Sequence, residues 1–394
     1  MYVLEAVAAW PLRHSPRRYP GFNRLVGFVV VVAVGTATAA VASLEGIYDS
    51  EVYLLAATTL LAIGLYASAS GISVEGAREH LRLVLAAVTV GVLIKATLIA
   101  VVMYLAFGRR AEYLILGVAV AQIDPLSVAA MRRRSAMSRR ASTILSAWAS
   151  FDDPMTALLT VYAAGWLMTT QGMAGGAGAW AAGSVLTQIL LNGLLALGAF
   201  LVWRLTTRTG EPGAGAAGAV RGTPAGTVGR IIQLAALLAV LVLGVWRFLM
   251  LGVALCGLFL RPWIDQLVER VTGVAFWLAA FALGLILVEG VRPLHGVVLG
   301  LAAFGSQIVV GWLLSRRLPA DDRTSLMLGH QNGITAIILA LLLEPRFPGT
   351  VSVVAPAIIT VNLLYTASNA ARRANRRPLA SDQTEEEPAP VARS

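Results

Sequence analysis

The chain has 394 residues, of which 57% are apolar and only 13% charged, with a mean hydropathy of +0.75 and a formal net charge of +10. A soluble globular protein carries roughly 25% charged residues, so this composition excludes an ordinary soluble enzyme and a disordered chain. The single cysteine, Cys256, rules out an intrachain disulfide and a thiolate metal cluster, and four histidines leave little scope for a histidine metal site.

Leu25–Leu44 and Val52–Val74 contain no charged residue. A helix crosses the hydrocarbon core with about 20 apolar residues. Hydropathy and helix breakers predict twelve helices, over 25–44, 52–72, 82–107, 113–131, 143–168, 178–203, 231–246, 248–260, 274–291, 295–315, 324–343 and 351–371. Residues 1–24 read as a cytoplasmic segment without a cleavable signal peptide, because Pro11, Arg13, Arg17, Arg18 and Arg24 separate the first short apolar stretch from the next. Residues 25–204 form a first membrane half. Residues 205–229, rich in Gly, Ala and Thr, read as a flexible cytoplasmic linker. Residues 230–371 form a second half, and 372–394, with Glu385, Glu386 and Glu387, read as a disordered cytoplasmic tail.

Orientation follows from basic residues, because loops rich in Arg and Lys resist translocation. Lys95 is the one lysine; all other basic residues are arginine. With the N-terminus inside, only Arg109, Arg110, Arg247, Arg292 and Arg346 fall outside, and the remaining arginines are cytoplasmic. Both termini are therefore expected in the cytoplasm, with the protein multi-pass in the inner (plasma) membrane. The net charge is assigned to these loops and not to nucleic acid.

Ionisable groups at membrane depth cost about 3 kcal/mol or more each and are usually functional. Asp124 and Pro125 interrupt the fourth helix midway, and proline removes a backbone donor there. A capped structural kink accounts for these two residues alone; a broken helix is also how transporters build midplane ion sites. Asp152 and Asp153 lie inside the charge-free fifth helix. Adjacent carboxylates in a low dielectric are hard to ionise together, so one holds a proton or a cation sits beside them. Lys95 lies near the middle of the third helix and needs a carboxylate, with Asp152, Asp153 and Asp124 as candidates. The eleventh helix carries Gly329-His330-Gln331-Asn332-Gly333-Ile334-Thr335 near mid-depth, a second predicted break. Gln122 and Gln307 are further polar candidates in the fourth and tenth helices; Glu289 reads as interfacial. Helices four and eleven run in opposite directions, so two breaks at corresponding positions point to an inverted repeat, a pattern for which sodium–proton antiporters are a known example.

With these residues on the page, the sequence resembles the monovalent cation–proton antiporter superfamily. Ile123-Asp124-Pro125 with the following small residues and basic loop is similar to the family's Thr-Asp-Pro helix, and Asp152-Asp153-Pro154 to its Asn-Asp or Asp-Asp helix. Leu251–Leu258 and Gly333–Leu341 resemble the corresponding helices of the second half. The resemblance spans roughly 25–371. It implies an all-α polytopic membrane protein of twelve transmembrane helices, with an inverted-topology repeat and crossed breaks in helices four and eleven. It implies Asp153 as the cation- or proton-binding carboxylate, Asp152 as its variable neighbour (the two together holding the monovalent cation) and Asp124 as the aspartate at the crossing. Lys95, Asn332, Gln331, Gln122 and Gln307 are supporting candidates. A homodimer working by alternating access is implied. The departures are Ile123 in place of threonine, Trp148 where relatives place an acidic residue, and no base on helix ten, for which Lys95 is the candidate replacement.

The expected function is exchange of Na⁺ or K⁺ for H⁺. The alternatives are a proton- or sodium-coupled carrier of an organic solute on the same plan, or a degenerate transport-like sensor. No phosphate loop, nucleotide fingerprint or metal-ligand box is present, so neither an enzyme, ATP hydrolysis nor a cofactor is expected, and the partners are cations, protons and the lipid bilayer.

Overall fold

The computed structural model describes residues 20–42, 50–71, 80–124, 128, 137–170, 185–207, 226–261, 265–331 and 333–376. These residues form helices and no strand. In chain order they are α1 (Pro20–Ala42), α2 (Glu51–Ser70), α3 (Leu81–Ala106), α4 (Glu112–Ala119), α5 (Arg139–Thr170), α6 (Val185–Thr206), α7 (Gly226–Arg247), α8 (Met250–Gly257), α9 (Asp265–Ile286), α10 (Pro293–Ser315), α11 (Ala320–Met327), α12 (Ile334–Leu343) and α13 (Thr350–Arg376). Seven described helices (α1, α2, α3, α6, α7, α10 and α13) carry windows long and apolar enough to cross a membrane. Their apolar residues surround the axis, the pattern of helices that meet lipid on one side and protein on the other. The window in α6 is 17% buried and that in α3 is 50% buried, so α6 is peripheral and α3 interior.

Local chemistry sets several ends. The Ser50 hydroxyl accepts the Tyr53 N–H at the start of α2. Pro293 occupies the first turn of α10, where a missing N–H costs nothing. The Glu344 carboxylate accepts the N–H groups of Gly349 and Val351, both at 2.6 Å, and so caps α13. Between α7 and α8 the chain turns at Phe248, which has φ 54°.

Several boundaries differ from expectation. The fourth helix, predicted over 113–131, stops at Ala119, and Val120–Asp124 is not helical. Residues 125–127 and 129–136, Pro125 included, lie outside the described residues, while Val128 is helical and bonds the Asp124 carbonyl at 3.1 Å. The eleventh, predicted over 324–343 with a break near Gly329–Thr335, is two helices, α11 and α12, the first starting earlier at Ala320. The ninth starts at Asp265, because Gln266, Glu269 and Arg270 are good helix formers despite their polarity, and Leu267 is one too. The last helix runs on to Arg376, into the stretch read as tail. Residues 208–225 of the linker, 377–394 of the tail and 1–19 lie outside the described residues.

Close helix contacts place this frame. On α1 and α9, Gly35 and Gly284 face each other so closely that a Cβ on Gly284 would meet the Val32 carbonyl. Gly273, on the same α9, has open space around it. Gly284→Val is expected to destabilise by about 1–3 kcal/mol through overpacking, while Gly273→Ala, in open space inside the helix, keeps stability or raises it by up to about 1 kcal/mol. Thermal unfolding of the two variants in detergent checks this.

Candidate functional site

Two non-helical segments meet inside the bundle. Ile123 and Gln331 form an isolated antiparallel bridge, and the Asp124 N–H donates to the His330 carbonyl at 2.7 Å. Backbone groups away from water must be paired, and each interruption supplies the partner for the other.

The helix α5 passes beside this crossing. The Ser138 hydroxyl accepts the Ala141 N–H at its start. Asp322 of α11 in turn holds Ser138, accepting its N–H at 3.0 Å and its hydroxyl at 2.6 Å. Arg372 of α13 joins this cluster through the Ser325 hydroxyl and the Asp321 carbonyl. Pro154 sits within α5 and removes the donor that would bond the Ser150 carbonyl. The residues around it are Trp148, Asp152, Asp153 and Thr156, all buried. Trp148, Asp152 and Thr156 follow at intervals of four and so share one face.

Lys95 of α3 is fully buried and donates to Asp152 Oδ2 at 2.5 Å. The Ile123 N–H reaches the same oxygen at 2.9 Å. The ammonium also lies 5.3 Å from the centre of the Trp148 ring, a cation–π contact. One ion pair thus ties α3, α5 and the first interruption together. Among the described residues, Asp152 Oδ1 has no hydrogen-bond partner.

Asp153 hydrogen-bonds the Thr335 hydroxyl in the first turn of α12 and lies within electrostatic reach of Asp124. Asp124 abuts Gly333, where a Cβ would collide with its carboxyl group. That places the carboxylate at the start of α12, whose N–H groups and dipole favour negative charge. His330 lies on the other side, its Nδ1 3.7 Å from Asp124 Oδ2. Its Nε2 is 3.0 Å from Asn362 Oδ1 and its ring stands edge-on to Tyr365, so α13 fixes the imidazole.

The candidates from the sequence therefore divide. Asp124, Asp152, Asp153, Lys95, Gln122 and Gln331 lie at or beside the crossing and are buried. Gln307 is buried one step away, donating to the Leu326 carbonyl at the end of α11 at 2.9 Å. Asn332 lies outside the described residues, as does the side chain of Glu289. Four positions did not figure among the candidates: His330, Gly333, Thr335 and Thr156. The first three sit inside the polar run of helix eleven, and Thr156 lies one turn beyond Asp152, which is the signal that marks them.

This helical bundle, with paired interruptions over buried carboxylates, shares its fold with solved sodium proton antiporter structures. The solved structures it is similar to include the sodium proton antiporter MjNhaP1 from Methanocaldococcus jannaschii at pH 8, with a TM-score of 0.63 over 89% of this chain and 100% of that one. An electron-microscopy structure of the same antiporter gives a TM-score of 0.58 over 92% of this chain and 98% of that one. Identity is 12% in both, so the likeness is one of fold. No family model and no curated protein matches the sequence.

Removing one partner of a buried ion pair strands the other charge, at about 3–5 kcal/mol. Lys95→Ala is expected to lower stability on that scale, and Lys95→Ala combined with Asp152→Asn to recover much of the loss. A double-mutant cycle read by thermal unfolding checks it; additive losses would mean the two side chains do not interact.

Proposed function

We propose that this protein is a secondary antiporter that exchanges a monovalent cation, Na⁺ or K⁺, for H⁺ by alternating access, with no enzymatic step and no cofactor. The observation that carries the reading is the buried arrangement of Asp153 and Asp124 at the crossing of two interrupted segments. A carboxylate there holds either a proton or a cation, and the two compete. The shared fold with a sodium proton antiporter supports the same reading.

In this mechanism Asp153, protonated, releases its proton to water on the side of higher pH. It then takes up a dehydrated cation with oxygen ligands from the interrupted segments. Thr335 orients the carboxylate. Asp124 supplies a second negative charge, partly balanced by the N-terminus of α12. Asp152 stands beside it, steadied by Lys95. The loaded bundle then moves and the cation leaves on the other side, where a proton replaces it. The charge on the site is the same with a proton or with a cation, so either form can move. The arginine distribution supports a multi-pass protein of the plasma membrane with cytoplasmic termini, and the resemblance supports a homodimer.

Two outcomes follow. Asp153→Asn in proteoliposomes is expected to abolish cation-dependent proton flux; full activity in that variant would sink the assignment. Because proton and cation compete, the half-saturating cation concentration is expected to rise about tenfold per pH unit as pH falls through the acidic range of the site, by mass action. A concentration independent of pH counts against competition at one carboxylate.

A further inference from the structure

Buried polar groups in a folded protein are nearly always hydrogen-bonded, and each exception needs a cause. Among the described residues, both amide atoms of Gln122, both of Gln331 and the hydroxyl of Thr156 have no partner, and all three side chains are fully buried. Each lies on a segment that meets the crossing or its carboxylates. Gln122 precedes Ile123, whose N–H bonds Asp152. Gln331 pairs with Ile123 across the bridge. Thr156 stands one turn from Asp152 and three residues from Asp153 on the same helix. At two nearby positions there is no side-chain oxygen at all: Ile123 is aliphatic, and Trp148 is committed to Lys95.

We infer that Gln122, Gln331 and Thr156 supply the neutral oxygen ligands that complete the shell of a dehydrated monovalent cation held by Asp153, an assignment that rests on the antiport reading. A hard cation needs several oxygen donors to replace its water. Asp153 and Asp124 provide charge but few oxygens. Two amide carbonyls and a hydroxyl provide oxygens without adding charge, which keeps the loaded site close to neutral. Their unpaired state also explains why these groups persist in an apolar interior, where they are costly unless something binds them.

The assignment separates binding from folding. Thr156→Val, Gln122→Leu and Gln331→Leu remove an unsatisfied polar group at nearly constant volume, so without cation each is expected to leave the melting midpoint of the full-length protein unchanged or raise it. In proteoliposomes each is expected to raise the half-saturating Na⁺ or K⁺ concentration about tenfold or more, with the maximal rate within about twofold of the unaltered protein, the pattern of lost uniform binding. The rise in melting midpoint on adding NaCl or KCl, relative to choline chloride, shrinks in parallel. Thr156→Ser keeps the hydroxyl and keeps the affinity. If Gln331→Leu does not fold, Gln331→Asn, which withdraws the amide by one methylene, carries the same expectation. Unchanged half-saturating concentrations in all three variants would overturn the ligand assignment alone, as would a fall in maximal rate with unchanged affinity. Absence of cation–proton exchange by the unaltered protein overturns the antiport reading and the assignment with it.

Discussion

The backbone pairing between Ile123–Asp124 and His330–Gln331 is the constraint on which the rest of the molecule depends. An apolar interior offers no water to an exposed peptide group, so a single unwound helix would be left with orphaned donors and acceptors. Here the break after α4 and the break between α11 and α12 satisfy one another, through the antiparallel bridge and the Asp124 N–H to His330 carbonyl bond. The Ile123 N–H, which that pairing leaves over, goes to the Asp152 carboxylate. The interruptions are thus a joint feature. Restoring either helix would unsatisfy the other segment, and the carboxylates would lose the place where they meet.

Three buried carboxylates gathered at one point need compensation, and each finds a different kind. Asp152 takes the Lys95 ammonium. Asp124 takes the start of α12, where only a glycine at 333 permits the approach, with His330 beside it. Asp153 takes the Thr335 hydroxyl. The weakest partner therefore belongs to the carboxylate read as the carrier. A group clamped by a full opposite charge exchanges its occupant with difficulty, while one whose named partner among the described residues is a hydroxyl does so readily. The buried pair itself need contribute little net stability, because desolvation offsets most of its attraction. Its geometric effect is larger: one lysine fixes α3, α5 and the first interruption at once.

Much of this was legible in the chain. Charge-free runs marked the spans, and Asp124, Asp152, Asp153 and Lys95 stood out because ionisable residues in apolar helices are rare. The start of the first interruption was not legible. Nothing in Val120-Ala121-Gln122-Ile123 breaks a helix, so the local reading put the break at Asp124-Pro125. The chain unwinds from Val120 because Gln331 and His330, some two hundred residues away, offer backbone partners there. The role of His330 was hidden for a related reason, since its ring is held by Asn362 and Tyr365 on another helix. Trp148 read as a missing ligand, and its contact with Lys95 emerges only when α3 and α5 pack.

Among the described residues, unpartnered buried side-chain polar atoms concentrate around this site. Away from the crossing, several buried polar side chains are fully engaged, although Ser68 Oγ, Ser146 Oγ and Gln307 Oε1 have no partner among the described residues. Asp322 uses both oxygens on Ser138, Glu344 uses both on the start of α13, and Asn192 accepts from Gly252 while donating to Gln188. These are structural groups whose bonds close on themselves. Around the Asp152–Asp153 pair the pattern reverses, with Asp152 Oδ1, Thr156, Gln122 and Gln331 all holding unused capacity among the described residues. A sequence that can satisfy Glu344 and Asp322 so completely has the means to satisfy these groups too, or to replace them with leucine at a gain in stability. Retaining them in one cluster beside Asp153 is what the proposed cation site requires if its ligands are to be free when a cation arrives.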